Sequence, residues 1–203
     1  MSEARQRGRR RIAPGLLTPF VARALHPGVR HSAPHRSRFR YGYNSPRLSM
    51  SDTGELYYRR LLFRTKLLAD RLYTPSHFWI QQQEQAVWRV GLTKFASRML
   101  GDVVEIGFDQ KEGDRVDIGD TIGWFEGFKA RSDLYSVAAG VFLGSNPLLV
   151  DRIAVIDDDR YRRGWLYEVR GTPEPNALDM HGYAALLDAT IDRLRHSRQE
   201  STE

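Results

Sequence analysis

The sequence predicts a mainly β domain, a small barrel or sandwich with one short internal helix and one C-terminal helix, preceded by a disordered basic tail. Three observations carry that expectation. From Tyr73 onward, short candidate strands follow one another closely and are separated by Gly-containing turns, the texture of antiparallel β architecture rather than of a parallel α/β sheet. Tyr183, Leu186, Leu187, Ile191 and Leu194 recur at helical spacing near the C-terminus. Charge and composition change abruptly at Met50.

The tail comes first. Residues 1–49 hold eleven arginines, no lysine and a single acid, Glu3, so they carry +10 of a net +6 and leave −4 on residues 50–203. Pro14, Pro27, Pro34 and Pro46 interrupt the segment, and its only apolar patch, Leu16–Leu25, cannot bury enough surface to offset chain entropy. An arginine-rich, acid-poor leader fits a mitochondrial transit peptide or an arm that contacts phosphates. The reading favoured here is that translation starts at Met50, because Ser51-Asp52-Thr53-Gly54-Glu55 looks like an ordinary flexible N-terminus. His31 and His35 lack the further ligands a metal site needs. Residues 50–72 then read as a linker, with the domain proper over 73–196 and a disordered end at 197–203. No run of about 18 apolar residues exists, so no helical membrane span is expected. Pro19 and Arg23 argue against a secretory signal. Without cysteine, the chain supplies no thiol nucleophile, disulfide or thiolate metal site.

Within the domain, Trp88–Leu92 alternates large apolar and polar residues and reads as a strand. Thr93 is placed to cap a helix through Leu100, with Phe95, Ala96, Met99 and Leu100 buried and Gly101 ending it. Val103–Phe108 reads as the next strand. Gly113-Asp114 and Gly119-Asp120 are turns around a short strand at Val116 and Ile118. Thr121–Phe128 and Leu134–Val137 follow as strands, joined by a tight connection at Lys129-Ala130-Arg131-Ser132. Gly140–Leu143 and Trp165–Arg170 complete the strands, and Asp179–Arg195 forms the closing helix.

The chemistry lies in Gly119-Asp120-Thr121-Ile122-Gly123, Glu126-Gly127-Phe128-Lys129-Ala130 and Ser132-Asp133-Leu134-Tyr135. Here the chain resembles the glycine cleavage system H proteins, lipoyl carriers whose modified lysine sits in a Glu-(Ser/Thr)-x-Lys-Ala segment followed by Ser-Asp-Leu-Tyr. Tyr73-Thr74-Pro75-Ser76-His77-Phe78-Trp79 is similar to the family's Tyr-x-x-x-His-x-Trp opening. Val90-Gly91-Leu92-Thr93 and Gly164-Trp165-Leu166 match further segments in family order. The resemblance implies a lipoyl-type barrel-sandwich hybrid with lipoic acid attached covalently to Lys129. It implies a non-catalytic carrier that shuttles an aminomethyl group between glycine decarboxylase, a PLP enzyme, and the tetrahydrofolate-dependent aminomethyltransferase. Dihydrolipoyl dehydrogenase would reoxidise the arm, and a lipoate ligase or lipoyl/octanoyl transferase would install it. A cytoplasmic monomer is expected, or a mitochondrial one if the tail is a transit peptide.

Physical reasoning agrees with that reading. A carrier lysine must stand exposed at the tip of a rigid turn, and its ε-amine forms an amide that arginine cannot make. By itself Lys129 reads as a solvated turn residue; with the ordered motifs it reads as the attachment point. Glu126 and Asp133 bracket it and are candidates for recognition by a ligase or partner, or serve only to keep the hairpin soluble. Gly127 and Gly140 read as backbone requirements. His77 reads as a core histidine with a satisfied hydrogen bond beside Trp79, ahead of a role in lining a groove for the arm. Asp157-Asp158-Asp159 lacks the spacing and glycine of a calcium loop and reads as a solvated turn.

Several positions depart from the family pattern. Gly127 replaces a small hydroxyl residue, Phe128 stands where valine is common, and Asp158-Asp159-Arg160-Tyr161 replaces Asp-Pro-Tyr. These changes keep open an H-like lipoyl protein serving another pathway, such as sulfur-compound oxidation or lipoyl relay. Biotin carriage is disfavoured, because Phe128 and Ala130 rather than methionines flank the lysine. Nucleic-acid binding through the arginine tail is the alternative of another class. It is disfavoured because the β domain is acidic and its basic residues form no aromatic-lined stripe along the sequence.

Overall fold

Residues 46–51 and 54–200 are described by a computed structural model, and their strands group into three antiparallel sheets. The first departs from expectation. Where a linker is expected over 50–72, β1 (Arg47–Met50), β2 (Glu55–Arg60) and β3 (Phe63–Leu68) form a meander. Residues 47–49, assigned to the tail by sequence, belong to β1, while the expectations for residues 1–45 lie outside the described residues. The physical reason is a hidden alternation: Leu56, Tyr58 and Arg60 face inward along β2, and Phe63 and Leu67 along β3. A turn at Leu61-Leu62 joins the two strands with Leu61 left-handed at φ 53°, without the usual glycine or asparagine.

β4 (Leu72–Tyr73), β5 (Phe78–Glu84) and β6 (Val87–Leu92) open the largest sheet. α1 (Lys94–Leu100) and β7 (Val103–Phe108) follow, then β8 (Arg115–Val116), β9 (Thr121–Gly127), β10 (Arg131–Tyr135) and β11 (Ala138–Ser145). The chain ends with α2 (Leu148–Asp151), α3 (Val155–Asp158), β12 (Trp165–Pro173) and α4 (Met180–Glu200). The six-stranded sheet runs β4-β5-β6-β12-β11-β8, and the remaining one β10-β9-β7. Inward residues of both sheets, among them Ile80, Val90, Ile122, Phe125, Leu134, Phe142 and Val169, share one buried core. This is the expected mainly β arrangement with a C-terminal helix, but in place of one internal helix there are three among the described residues, since the short α2 and α3 fill the connection between β11 and β12. α4 runs to Glu200, beyond the expected end at Arg195, because no glycine or proline follows to stop it. No helix among the described residues is long and apolar enough to cross a membrane.

The meander packs against α4 and α1. Tyr58 donates to Asp188 at 2.8 Å, and the Arg60 guanidinium reaches Asp188 at 2.9 Å and Asp192 at 2.6 Å. Phe63 meets Phe95 of α1 edge-on, with centroids 5.6 Å apart. At the start of α1, Thr93 accepts from the Ala96 N–H as the expected cap. Its buried face departs from expectation: Phe95 and Leu100 are buried as expected, Ser97 is buried as well, and Ala96 and Met99 are only partly so. Ser97 is tolerated there because Arg160 donates to its hydroxyl at 2.8 Å. Gly101 ends the helix left-handed at φ 79°, and Gly101 and Asp102 both return their N–H groups to the Ser97 carbonyl.

Candidate functional site: a braced lysine hairpin

β9 and β10 form a hairpin whose strands pair Glu126 with Arg131, Phe125 with Ser132 and Trp124 with Asp133. The Gly127 N–H donates to the Ala130 carbonyl at 2.8 Å and closes the turn over residues 127–130. Phe128, expected within the strand, therefore lies in the turn and is 81% exposed, while Arg131 and Ser132 already belong to β10. The second strand also ends earlier than expected, at Tyr135.

The tip of this turn does not hang free. The Lys129 N–H donates to the Leu100 carbonyl at 3.0 Å, and the Phe128 N–H is shared between the Gly101 and Asp102 carbonyls at 3.3 Å each. The C-terminal end of α1 has carbonyls with no helical partner, and the hairpin supplies the missing donors. Close approach requires glycine on both sides. A Cβ on Gly127 would fall 2.3 Å from the Leu100 oxygen, and a Cβ on Gly101 would fall 2.5 Å from Cγ of Lys129. The lysine stem thus lies along the Gly101 backbone.

Lys129 itself is exposed, and among the described residues its ammonium enters no ion pair. Glu126 lies 3.9 Å from Arg131, whose guanidinium stacks 4.1 Å from the Trp124 ring, and Asp133 accepts from the Tyr135 hydroxyl at 3.1 Å. The outer face of the hairpin beside Lys129 therefore combines an aromatic–arginine stack with two acids. An acyl group on Nζ meets no buried charge here and needs no ion pair broken, so the residues present fit a lipoyl amide.

The other candidates lie elsewhere. The ring of His77 is buried, its Nδ1 is 2.9 Å from the Tyr183 hydroxyl, and burial together with the positive charge of Arg193 lowers its pKa to about 4. It ties α4 to the start of α1, since the same Tyr183 hydroxyl is 2.9 Å from the Thr93 hydroxyl. Gly140, with φ 149°, is required by the Arg170 carbonyl, which a Cβ would approach to 2.1 Å. The three aspartates at 157–159 are not a turn alone: Asp157 and Asp158 close α3. Each pairs with its own arginine, Asp157 with Arg160, Asp158 with Arg152 and Asp159 with Arg163. Among the described residues, no group of three or more His, Asp or Glu is gathered to hold a metal ion. Sequence reasoning missed the end of α1 as the brace of the site. The one legible signal was Gly101-Asp102, read only as a helix stop.

Fold and site together define a class: a small β domain that presents one lysine from a hairpin braced on a helix end. Residues 71–186 match the glycine cleavage H-protein family. The glycine cleavage system H protein of Shewanella oneidensis is 34% identical over 119 residues, covering 57% of this chain and 92% of that protein. Its counterpart in Corynebacterium jeikeium is 34% identical over 124 residues, covering 60% and 97%. The crystal structure of the glycine cleavage system H protein from Mycobacterium marinum superposes with a TM-score of 0.54 at 35% identity, over 59% of this chain and 97% of that one. The chain belongs to the glycine cleavage H-protein family. Strands β1 to β3 precede the matched residues.

Proposed function

We propose that Lys129 carries a lipoyl group and that the chain is a carrier between the enzymes of glycine cleavage. Its partners would be glycine decarboxylase, aminomethyltransferase, dihydrolipoyl dehydrogenase and the ligase or transferase that acylates Lys129. The observation that carries the reading is the exposed Lys129 at a turn held by main-chain bonds to Leu100, Gly101 and Asp102. When attached, the lipoyl group supplies the sulfur that accepts the aminomethyl group. The chain's own residues do the rest. As the free amine, Lys129 Nζ attacks an activated acyl donor: the N–C bond forms, the bond to the donor's activating group breaks and that group leaves, and the nitrogen gives up one proton. Leu100 and Gly101 fix where the arm begins, and Glu126 and Asp133, with Arg131 beside Glu126, give the outer face a charge pattern that a partner surface can recognise. Tethering replaces a search through solution by one at high effective concentration. A chain without cysteine offers no thiol to exchange with the arm's disulfide. We place this activity in the cytoplasm, with the chain acting as a monomer.

The test is intact mass of the protein from its native, lipoate-replete host. One lipoyl increment is expected, absent from Lys129→Arg; wild-type protein without the increment would sink the reading. A second reading, service to another lipoyl-dependent pathway, is favoured by the exposed ring of Phe128 directly before the lysine. Reconstitution with purified glycine decarboxylase separates the two: a lipoylated chain that takes up no aminomethyl group belongs to the second.

A further inference from the structure

The outer face of the β1–β3 meander carries a feature unrelated to the lysine hairpin. Strand register sets Arg47 opposite Arg59 and Arg59 opposite Arg64, so three arginines stand in one row across three strands. All three are exposed, and among the described residues none enters an ion pair. Neighbouring strands lie about 4.8 Å apart, and like charges directly opposite destabilise a sheet. The inner face of the same meander treats its arginine differently, since Arg60 is matched by Asp188 and Asp192. Beside the arginine row runs a second one, Ser49, Tyr57 and Lys66, in which Tyr57 is 48% exposed and Lys66 is neutralised by Glu55 at 2.9 Å. Arg47, Tyr57, Arg59, Arg64 and Lys94 line a shallow groove of about 350 Å³. Lys94 is exposed too and has no ion pair among the described residues.

We propose that this face binds single-stranded nucleic acid, with the arginine row on the phosphates and Tyr57 stacking on a base. Charge complementarity selects a polyanion: uncompensated like charges in a row are relieved by an anionic ligand that bridges them. Guanidinium forks suit phosphate oxygens, and an aromatic ring on a cationic sheet is the common platform for unpaired bases. An anionic membrane fits less well. Leu48 and Met50 share register with Tyr58 and Leu56 and so lie on the opposite face, and the exposed Leu61 and Leu62 belong to the β2–β3 turn, outside the paired arginine and tyrosine rows. The sheet is also no helix or ribbon shaped to enter a duplex groove. This inference stands apart from the lipoyl reading and does not depend on Lys129.

Fluorescence anisotropy of the full chain with a labelled oligothymidylate tests it. Binding is expected to weaken with salt, with the arginine row contributing about 2 to the log–log slope. Arg47→Gln/Arg59→Gln/Arg64→Gln should weaken binding at least about tenfold and remove that part of the slope. Tyr57→Ala should weaken binding and leave the slope unchanged. Arg9→Gln/Arg10→Gln/Arg11→Gln, with the same charge change in the tail, should cost clearly less affinity. The triple sheet variant should melt at or above the wild-type temperature because repulsion is removed; should it fail to fold, Arg59→Gln alone is expected to weaken binding several-fold. Wild-type affinity in the sheet variants, or a loss confined to the tail variant, would overturn the proposal. So would binding to phosphatidylglycerol vesicles or to an acidic protein with none to the oligonucleotide.

Discussion

Gly127 is where the lysine hairpin touches the end of α1, and it shows how little room the site leaves. A methyl group there would lie 2.3 Å from the Leu100 oxygen and 2.7 Å from that of Asp102, both backbone atoms that cannot swing aside. Gly127→Ala is therefore expected to lower stability by about 1–3 kcal/mol in urea denaturation. It should also speed hydrogen exchange at the Lys129 amide, which bonds to Leu100. Unchanged exchange at Lys129 would mean that the brace is not needed. The lysine was legible in the sequence because its neighbours form an ordered set of motifs. Its brace was not, because the acceptors are main-chain carbonyls of Leu100, Gly101 and Asp102, whose side chains carry no sign of the role. Phe128 misled for a related reason: an apolar residue after Phe125 and Gly127 reads as strand, yet the bond from Gly127 to Ala130 closes the turn before it.

Among the elements, α1 was readable at both ends because caps are local chemistry: Thr93 and Gly101 act within four residues of the groups they satisfy. The β2–β3 hairpin was not. Its inward series includes Arg60, which breaks the apolar alternation, and its turn is Leu61-Leu62 rather than a glycine pair. Only the distant Asp188 and Asp192 make an inward arginine tolerable, and nothing near Arg60 in sequence announces them. Arg60→Leu is expected to cost about 2 kcal/mol, the scale of hydrogen bonds to charged groups. The loss should be local: amides of β2 and β3 should exchange faster while those of β5, β6 and β12 keep their protection. Equal loss across the sheets would show that the meander is not a separate cooperative layer. The arginine row of Arg47, Arg59 and Arg64 was hidden in the same way, since register alone joins residues so far apart in sequence.

For the whole molecule, two buried groups set opposite pH slopes. Burial raises the pKa of Glu174 to about 7 from its ordinary 4.5, and its Oε1 has no hydrogen-bond partner among the described residues. The folded chain then holds a proton that the unfolded chain releases, so stability falls as pH rises from 4.5 to 7. His77 acts in the other sense. Its pKa drops from 6.5 to about 4, so between those values only the unfolded chain is protonated and stability rises with pH. The slopes oppose each other over most of this range, and above 6.5 only that of Glu174 remains. Glu174→Gln is expected to raise the melting temperature at about pH 8 with little effect near pH 4, and to steepen the rise between them. A variant that melts in parallel with wild type at every pH would contradict the assignment. Charge is distributed as unevenly as titration: the lysine hairpin, whose two acids offset its two bases, and the arginine row lie on different sheets. At the lysine, Cγ and Cδ lie 2.5 and 2.8 Å from where a Cβ on Gly101 would stand, so the stem crosses the space that a side chain at 101 would fill. Any side chain at 101 would have to push that stem aside. The residue that stops α1 is thus also the one that makes room for the lysine.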